Sequence, residues 1–215
     1  MSAPHGPIVV KLGGSLAEGR RLDAILAIVG AARRACIVVP GGGIFADAVR
    51  AAYKKHRLSQ RVAHRMALLG MHQSAMMLAS MHARLSPVET LAGIRKALAE
   101  SRIPVWMPLK LAGDDSHITA DWRTTSDGLA ARLAERLGKT EVLLVKSCRV
   151  DSGATPQQLV RSGIVDPTFA EIVVRASLPW RVIGAGDDRE LASRLGAPYR
   201  AGRRKALKRA IAPRR

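Results

Sequence analysis

Aromatic residues are scarce in this chain, 3% of 215 positions, so its core must be built from Ala, Leu, Val, Ile and Met. Cysteine is scarcer still. Cys36 and Cys148 are too few for a disulfide framework, and both stand in or beside strand-like runs, where buried free thiols are expected. No apolar stretch approaches the roughly 20 residues needed to cross a bilayer. The opening Met1-Ser2-Ala3-Pro4-His5-Gly6 has neither the charged nor the apolar part of a secretory signal, so a cytoplasmic protein with no membrane partner is expected. A Gly-x-x-x-x-Gly-Lys-Ser/Thr loop, zinc-spaced Cys/His clusters and hydrolase nucleophile motifs are all missing from the sequence. Acids are few as well: 17 Asp and Glu against 35 Lys and Arg, a formal charge of +18.

Hydrophobic residues make up 47% of the chain, which excludes a disordered protein, and the length suits one α/β unit with a substantial core. The positive charge is concentrated at one end. From Arg200 onward stand Arg203, Arg204, Lys205, Lys208, Arg209, Arg214 and Arg215, with no acid among them. We therefore divide the chain into a single domain over 1–200 and a basic tail over 201–215. A basic surface attracts phosphorylated metabolites and nucleic acid alike, but without stacking aromatics or a recognition motif charge alone argues weakly for nucleic acid.

Apolar runs at 8–12, 36–39, 105–108, 142–146 and 181–184 predict strands. Helices are predicted over 22–33, 44–55, 59–83, 88–100, 126–137, 156–162 and 187–195. Their alternation predicts an α/β fold, a three-layer αβα sandwich around a largely parallel sheet. The segment 59–83 carries Met66, Met71, Met76, Met77 and Met81, a pattern that fits core packing.

Two glycine turns follow strand-like runs: Gly13-Gly14-Ser15, two residues after Lys11, and Gly41-Gly42-Gly43. Glycine lets backbone N–H groups close on phosphate, and a helix N-terminus adds partial positive charge. Thr125-Ser126-Asp127 opens a predicted helix, and the run Val142-Leu143-Leu144-Val145 ends in Lys146. Because ligands of open α/β sheets sit at the carboxyl ends of the strands, Lys11, Gly41 and Lys146 should meet at one edge. Two lysines, a carboxylate and glycine-lined backbone are the equipment of phosphoryl transfer, where positioning and charge stabilisation supply nearly all the catalysis. Asp127 alone could equally be a helix-dipole partner, and Thr125 and Ser126 could be caps.

The order of these pieces, Val9-Val10-Lys11-Leu12-Gly13-Gly14-Ser15, then Val38-Val39-Pro40-Gly41-Gly42-Gly43, then Thr125-Ser126-Asp127, resembles the amino acid kinase superfamily. Ala63-His64-Arg65-Met66-Ala67, Pro104-Val105-Trp106-Met107-Pro108 and Gly163-Ile164-Val165-Asp166 are similar to its methanofuran-pathway branch, which phosphorylates aminomethyl-furanmethanol phosphate to the diphosphate. The resemblance implies ATP and Mg2+, a small phosphorylated acceptor and a homodimer or larger homo-oligomer built partly on the methionine-rich helix. It further implies that Lys11 and Lys146 act on the transferred and leaving phosphates and that Asp127 orients both lysines. Gly13, Gly14, Ser15, Thr125 and Ser126 would hold the nucleotide phosphates, and Gly41, Gly42, Gly43, His64 and Arg123 would face the acceptor. His64 could also be a packing histidine. Arg123 replaces an acid of the branch pattern, and the segment after Lys146 has its own spacing. Uridylate or isopentenyl phosphate kinase is the alternative within this reading, and a non-catalytic phospho-ligand binding protein is the alternative outside it.

Overall fold

The structure, a computed structural model, describes residues 6–19, 21–113 and 115–199; His5, Arg200 and the basic tail over 201–215 lie outside them. Its strands are β1 (Ile8–Leu12), β2 (Cys36–Pro40), β3 (Leu85–Val88), β4 (Ile103–Trp106), β5 (Val142–Val145) and β6 (Trp180–Ile183). They pair in the order β3-β4-β2-β1-β5-β6, every neighbour parallel. The connecting helices are α1 (Arg21–Gly30), α2 (Gly43–His56), α3 (Gln60–Ser80), α4 (Leu91–Ala99), α5 (Leu109–Ala112), α6 (Ser126–Arg136), α7 (Pro156–Arg161), α8 (Pro167–Arg175) and α9 (Asp188–Leu195).

A parallel sheet is covered on both faces, so its central strands read as unbroken apolar runs. Here β1, β2 and β5 are buried along their whole length. Side chains still alternate between faces. Ile8, Val10, Leu12, Val38 and Leu143 join the core with Ile25, Val29 and Leu191 of α1 and α9. Val9, Ile37, Val39 and Leu144 pack on the opposite side with Leu129 and Leu133 of α6 and Phe169 of α8. The period of two then places Lys11 on the same face as Val9, the face that α6 covers. The three layers agree with the sequence expectation.

Strand order reverses at β1: the chain first lays β2, the edge strand β3 and then β4 between them on one side, and afterwards returns to lay β5 and β6 on the other. The crevice beyond the carboxyl ends of β1 and β5 is therefore the topological switch point, where such sheets bind ligands. Leu12 is in register with Pro40 and with Val145, so the glycine turns after β1 and β2 and the residue after β5 emerge side by side.

Four expectations need correction. The strand expected at 105–108 runs Ile103–Trp106 instead. No strand is predicted between the helices expected at 59–83 and 88–100, where Ser86-Pro87 signals a break, yet Leu85–Val88 is the edge strand β3, paired only with β4. An edge position tolerates a residue that cannot donate to a ladder. Helix α8 was not expected at all, although its signal is in the sequence: Asp166 as N-cap, Pro167 in the first turn, then apolar Phe169, Ile172, Val173 and Ala176 at helical spacing. Of the cysteines, Cys36 is buried as expected, its thiol pushed up to about 12 by burial, but Cys148 is exposed.

Candidate active site

Asp127, in the first turn of α6, is 3% exposed and lies between two ammonium groups. The Lys146 Nζ donates to Oδ2 at 2.6 Å, and the Lys11 Nζ stands 2.7 Å from Oδ1. The Lys11 contact is an ion pair, and among the described residues Oδ1 accepts no hydrogen bond. Burial pushes the Asp127 carboxyl up, but the charges of Lys11 and Lys146 and their close contacts outweigh burial and hold it below the ordinary carboxylate range. It is ionised and paired with both lysines, which leaves it poorly suited to accept a proton. Burial and the nearby Lys11 charge lower the Lys146 pKa, with Asp127 opposing them. The trio comes from the ends of β1 and β5 and the start of α6, which is the convergence the sequence order implied.

The two glycine turns touch each other. A Cβ on Gly41 would fall 2.3 Å from the Gly14 amide nitrogen, and one on Gly14 would fall 2.5 Å from that of Gly43, so backbone lies directly on backbone. Gly43 also takes φ +51°, in the left-handed region open to glycine. Gly13 donates to the Val145 carbonyl at 2.9 Å, and the Ser15 and Ser147 hydroxyls lie 2.8 Å apart. Lys11, Gly14, Ser15, Gly42, Gly43 and Asp127 all line one cleft of about 550 Å3, which Lys146 and Ser126 complete. Gly41 is in the turn, but Gly13 and Gly41 face an adjoining hollow against Leu12 and Phe45.

Asp166 is the residue whose role the sequence reading missed. It caps α8 by accepting from the Phe169 N–H at 2.7 Å. Its other oxygen accepts from the Thr125 N–H at 2.8 Å, the Thr125 hydroxyl at 2.6 Å and the Gly128 N–H at 2.9 Å. One buried carboxylate thus binds the N-termini of α6 and α8 together, on both sides of Asp127. Burial and the Asp127 charge raise its pKa, while these hydrogen bonds oppose the rise. Gly128 makes the approach possible, because a Cβ there would stand 2.9 Å from both Asp166 Oδ1 and Thr168 Cβ. The Thr125 hydroxyl, expected to donate to phosphate, donates to Asp166 instead.

A second, smaller cavity of about 60 Å3 adjoins the cleft and shares Gly42, Ala46, Arg50, Trp122, Thr125 and Ser126 with it. Its far wall is apolar, from Ala67, Leu68, Met71 and Leu129, with His64 beside them. His64 is 8% exposed, and Nε2 has no hydrogen-bond partner among the described residues. Burial lowers its pKa despite a hydrogen bond to the Asp121 backbone and the Asp121 charge, so the ring is neutral. The Arg50 guanidinium lies 5.6 Å from the centre of the Trp122 ring, which also meets Tyr53 edge-on at 5.6 Å. Arg123, expected at the acceptor, lines neither space. Its guanidinium pairs with Glu171 at 2.8 Å, and both side chains are about 60% exposed.

Over residues 6–149, more than half of its length, the chain matches the amino acid kinase family. It is 25% identical over 141 residues to the [5-(aminomethyl)furan-3-yl]methyl phosphate kinase of Methanocaldococcus jannaschii, and the matched stretch covers 63% of each protein. The chain thus spans 63% of that relative's length, just under two thirds. Its fold is similar to the uridylate kinase of Archaeoglobus fulgidus, with a TM-score of 0.62 and 19% identity over 88% of this chain and 95% of that one. The UMP kinase of Ureaplasma parvum is similar too, with a TM-score of 0.58 and 14% identity over 84% and 90% of the two chains. With its signature turns, lysines and aspartate folded into one cleft, the chain belongs to the amino acid kinase family.

Proposed function

We propose that this protein is an ATP-dependent kinase that transfers the γ-phosphoryl group to a small phosphate monoester. The observation that carries this is the Lys11–Asp127–Lys146 trio at the switch point, flanked by two glycine turns in contact. Both Asp127 oxygens are held by lysines and both Asp166 oxygens by amides and a hydroxyl, so neither buried carboxylate in the cleft is free to act as a general base. An acceptor whose oxygen is already anionic needs none. A phosphate monoester, with a second pKa of about 6, meets that requirement at neutral pH. Its oxygen attacks the γ-phosphorus in line, the bond to ADP breaks, and the two ammonium groups offset the charge that shifts to the leaving and transferred oxygens. Lys11, Lys146, Gly14, Ser15 and Ser126 would contact the nucleotide phosphates. Mg2+ would arrive with those phosphates and supply charge neutralisation between them.

The acceptor we favour is aminomethyl-furanmethanol phosphate, giving the diphosphate, as in the name of the Methanocaldococcus jannaschii relative. The small apolar-walled cavity beside the cleft supports a compact acceptor body over a nucleoside. ADP release, measured in parallel on [5-(aminomethyl)furan-3-yl]methyl phosphate, uridine monophosphate and isopentenyl phosphate, tests this. Turnover confined to the second or third would replace the acceptor. No turnover on any, with MgATP bound, would favour a phospho-ligand binding role.

A homo-oligomer belongs to the same proposal. Val62, Leu69 and Met76 are exposed at intervals of seven along α3, which gives that helix an apolar stripe of the kind a second copy covers. Sedimentation of the wild type against Leu69→Lys would check it, the variant being expected to dissociate.

A further inference from the structure

Lys146 is held at its tip by Asp127, but its backbone is fixed by a residue that does not line the cleft. Arg21 is the first residue of α1, and its side chain is 18% exposed. One guanidinium makes contacts in three directions. Nη1 donates to the Lys146 carbonyl, and Nη2 donates to the Gly184 carbonyl at 2.5 Å. Nε and Nη2 also donate to Asp188 Oδ1 at 3.0 and 2.6 Å. The Lys146 and Gly184 carbonyls are the first beyond the ends of β5 and β6, where the sheet ladder no longer satisfies them. On the other side of the same residue, the Lys146 N–H donates to the Ile183 carbonyl at 3.0 Å.

We infer that Arg21 is a positioning residue for the phosphoryl-transfer centre, setting the backbone from which Lys146 reaches Asp127. This rests on the kinase reading for its consequence in catalysis, though not for the geometry. The role is geometric and not electrostatic. Asp188 neutralises the guanidinium at close range, and Arg21 does not line the cleft. What Arg21 brings is a rigid planar fork with several donors, which spans two carbonyls and a carboxylate at once. Lysine has the charge but no fork, so the two residues are not interchangeable at this position.

The test compares Arg21→Gln, Arg21→Lys and Asp188→Asn with wild type in the full chain. With lysine labelled by 13C and 15N, the Lys146 Nζ resonance is identified by its loss in Lys146→Arg. Arg21→Gln and Arg21→Lys should both move this resonance and bring its titration towards that of an ordinary lysine, with Asp188→Asn intermediate. In turnover with MgATP and [5-(aminomethyl)furan-3-yl]methyl phosphate, both Arg21 variants should lose about 10- to 100-fold in kcat, the scale of a misplacement near 1 Å, with KM for MgATP changed less than about twofold. A Lys146 resonance and titration in Arg21→Lys identical to wild type would overturn the inference, as would full kcat in that variant. Should Arg21→Gln fail to fold, Arg21→Lys and Asp188→Asn still decide. A wild type without turnover on this acceptor, uridine monophosphate or isopentenyl phosphate would remove the kinase reading, while the resonance would still report whether Arg21 positions Lys146.

Discussion

Two spaces meet at Gly42, Thr125 and Ser126, and they are built in opposite ways. The cleft is held by charge: three ionised side chains and a fourth, Asp166, each locked by partners from another element. The smaller cavity is held by apolar packing from α3 and α6 and contains an imidazole nitrogen with no hydrogen-bond partner among the described residues. The difference separates two tasks. A reaction that shifts charge between oxygens gains from groups that do not need to reorganise, whereas choosing an acceptor body depends on volume and shape. Substitutions in the cleft should therefore act on turnover, and substitutions in the cavity on acceptor affinity.

The largest effect is expected at the lysines. Lys11→Ala and Lys146→Ala should each lower kcat by about 10²–10³, the range for removing a donor that acts mainly on transition-state charge. Circular dichroism should show the same secondary structure. Turnover like that of wild type in either purified variant would remove the catalytic assignment.

Asp127→Asn should reduce turnover as well, and should destabilise the fold more than either lysine change. It leaves two ammonium groups facing each other in a buried site, and breaking a buried pair typically costs about 3–5 kcal/mol. The acid response gives an independent check. Because the folded pKa of Asp127 is depressed below the ordinary 3.8, its contribution is present above that value and lost as pH falls through the folded pKa. Asp127→Asn should flatten the acid limb of the stability curve below about pH 4. An unchanged acid limb would mean that the carboxylate is not held by the lysines. If the pH–rate profile lost a limb instead, a proton-transfer role would return.

These contrasts also mark what was legible in the sequence. Lys11, Asp127 and Lys146 were readable because each stands at a strand end or helix start, where the α/β topology alone brings distant positions together. Asp166 was not, for two reasons. Its helix, α8, was overlooked, and a capping aspartate before proline looks local in sequence. Only the packed structure shows its second oxygen reaching Thr125 and Gly128 on α6. Arg21 escaped notice similarly, since its partners Lys146, Gly184 and Asp188 lie more than a hundred residues away. Pro87 hid an edge strand, because a proline signals a break unless the neighbour on that side is known to be absent.

A moderate effect with the opposite kinetic signature is expected in the cavity. Ala67→Leu adds about three methylene-sized groups to a space of about 60 Å3. It should raise KM for the acceptor about tenfold or more, as a pocket that discriminates by about 1–3 kcal/mol per methylene predicts, and leave MgATP affinity unchanged. Isothermal titration with each ligand separates the two. Equal weakening of both would show that cleft and cavity are one site without the division of labour argued above.

The smallest effect should come from Arg123, which the sequence placed at the acceptor and the structure places beside Glu171. Both side chains are about 60% exposed, so solvent screens the pair, and such surface ion pairs are usually worth about 0–1 kcal/mol. Arg123 lines neither the cleft nor the cavity, and no candidate catalytic group contacts its guanidinium among the described residues. Its backbone is a different matter. The Arg123 N–H donates to Asp121 at 2.8 Å and its carbonyl accepts from the Thr168 hydroxyl at 3.3 Å, so the segment leading to Thr125 stays in place whatever side chain it carries. Arg123→Ala should therefore leave melting temperature, kcat and acceptor KM close to wild type at moderate salt. A severalfold rise in acceptor KM, disappearing at high salt, would mean that the guanidinium leaves Glu171 for an anionic acceptor, and would extend the charged cleft to the rim of the cavity.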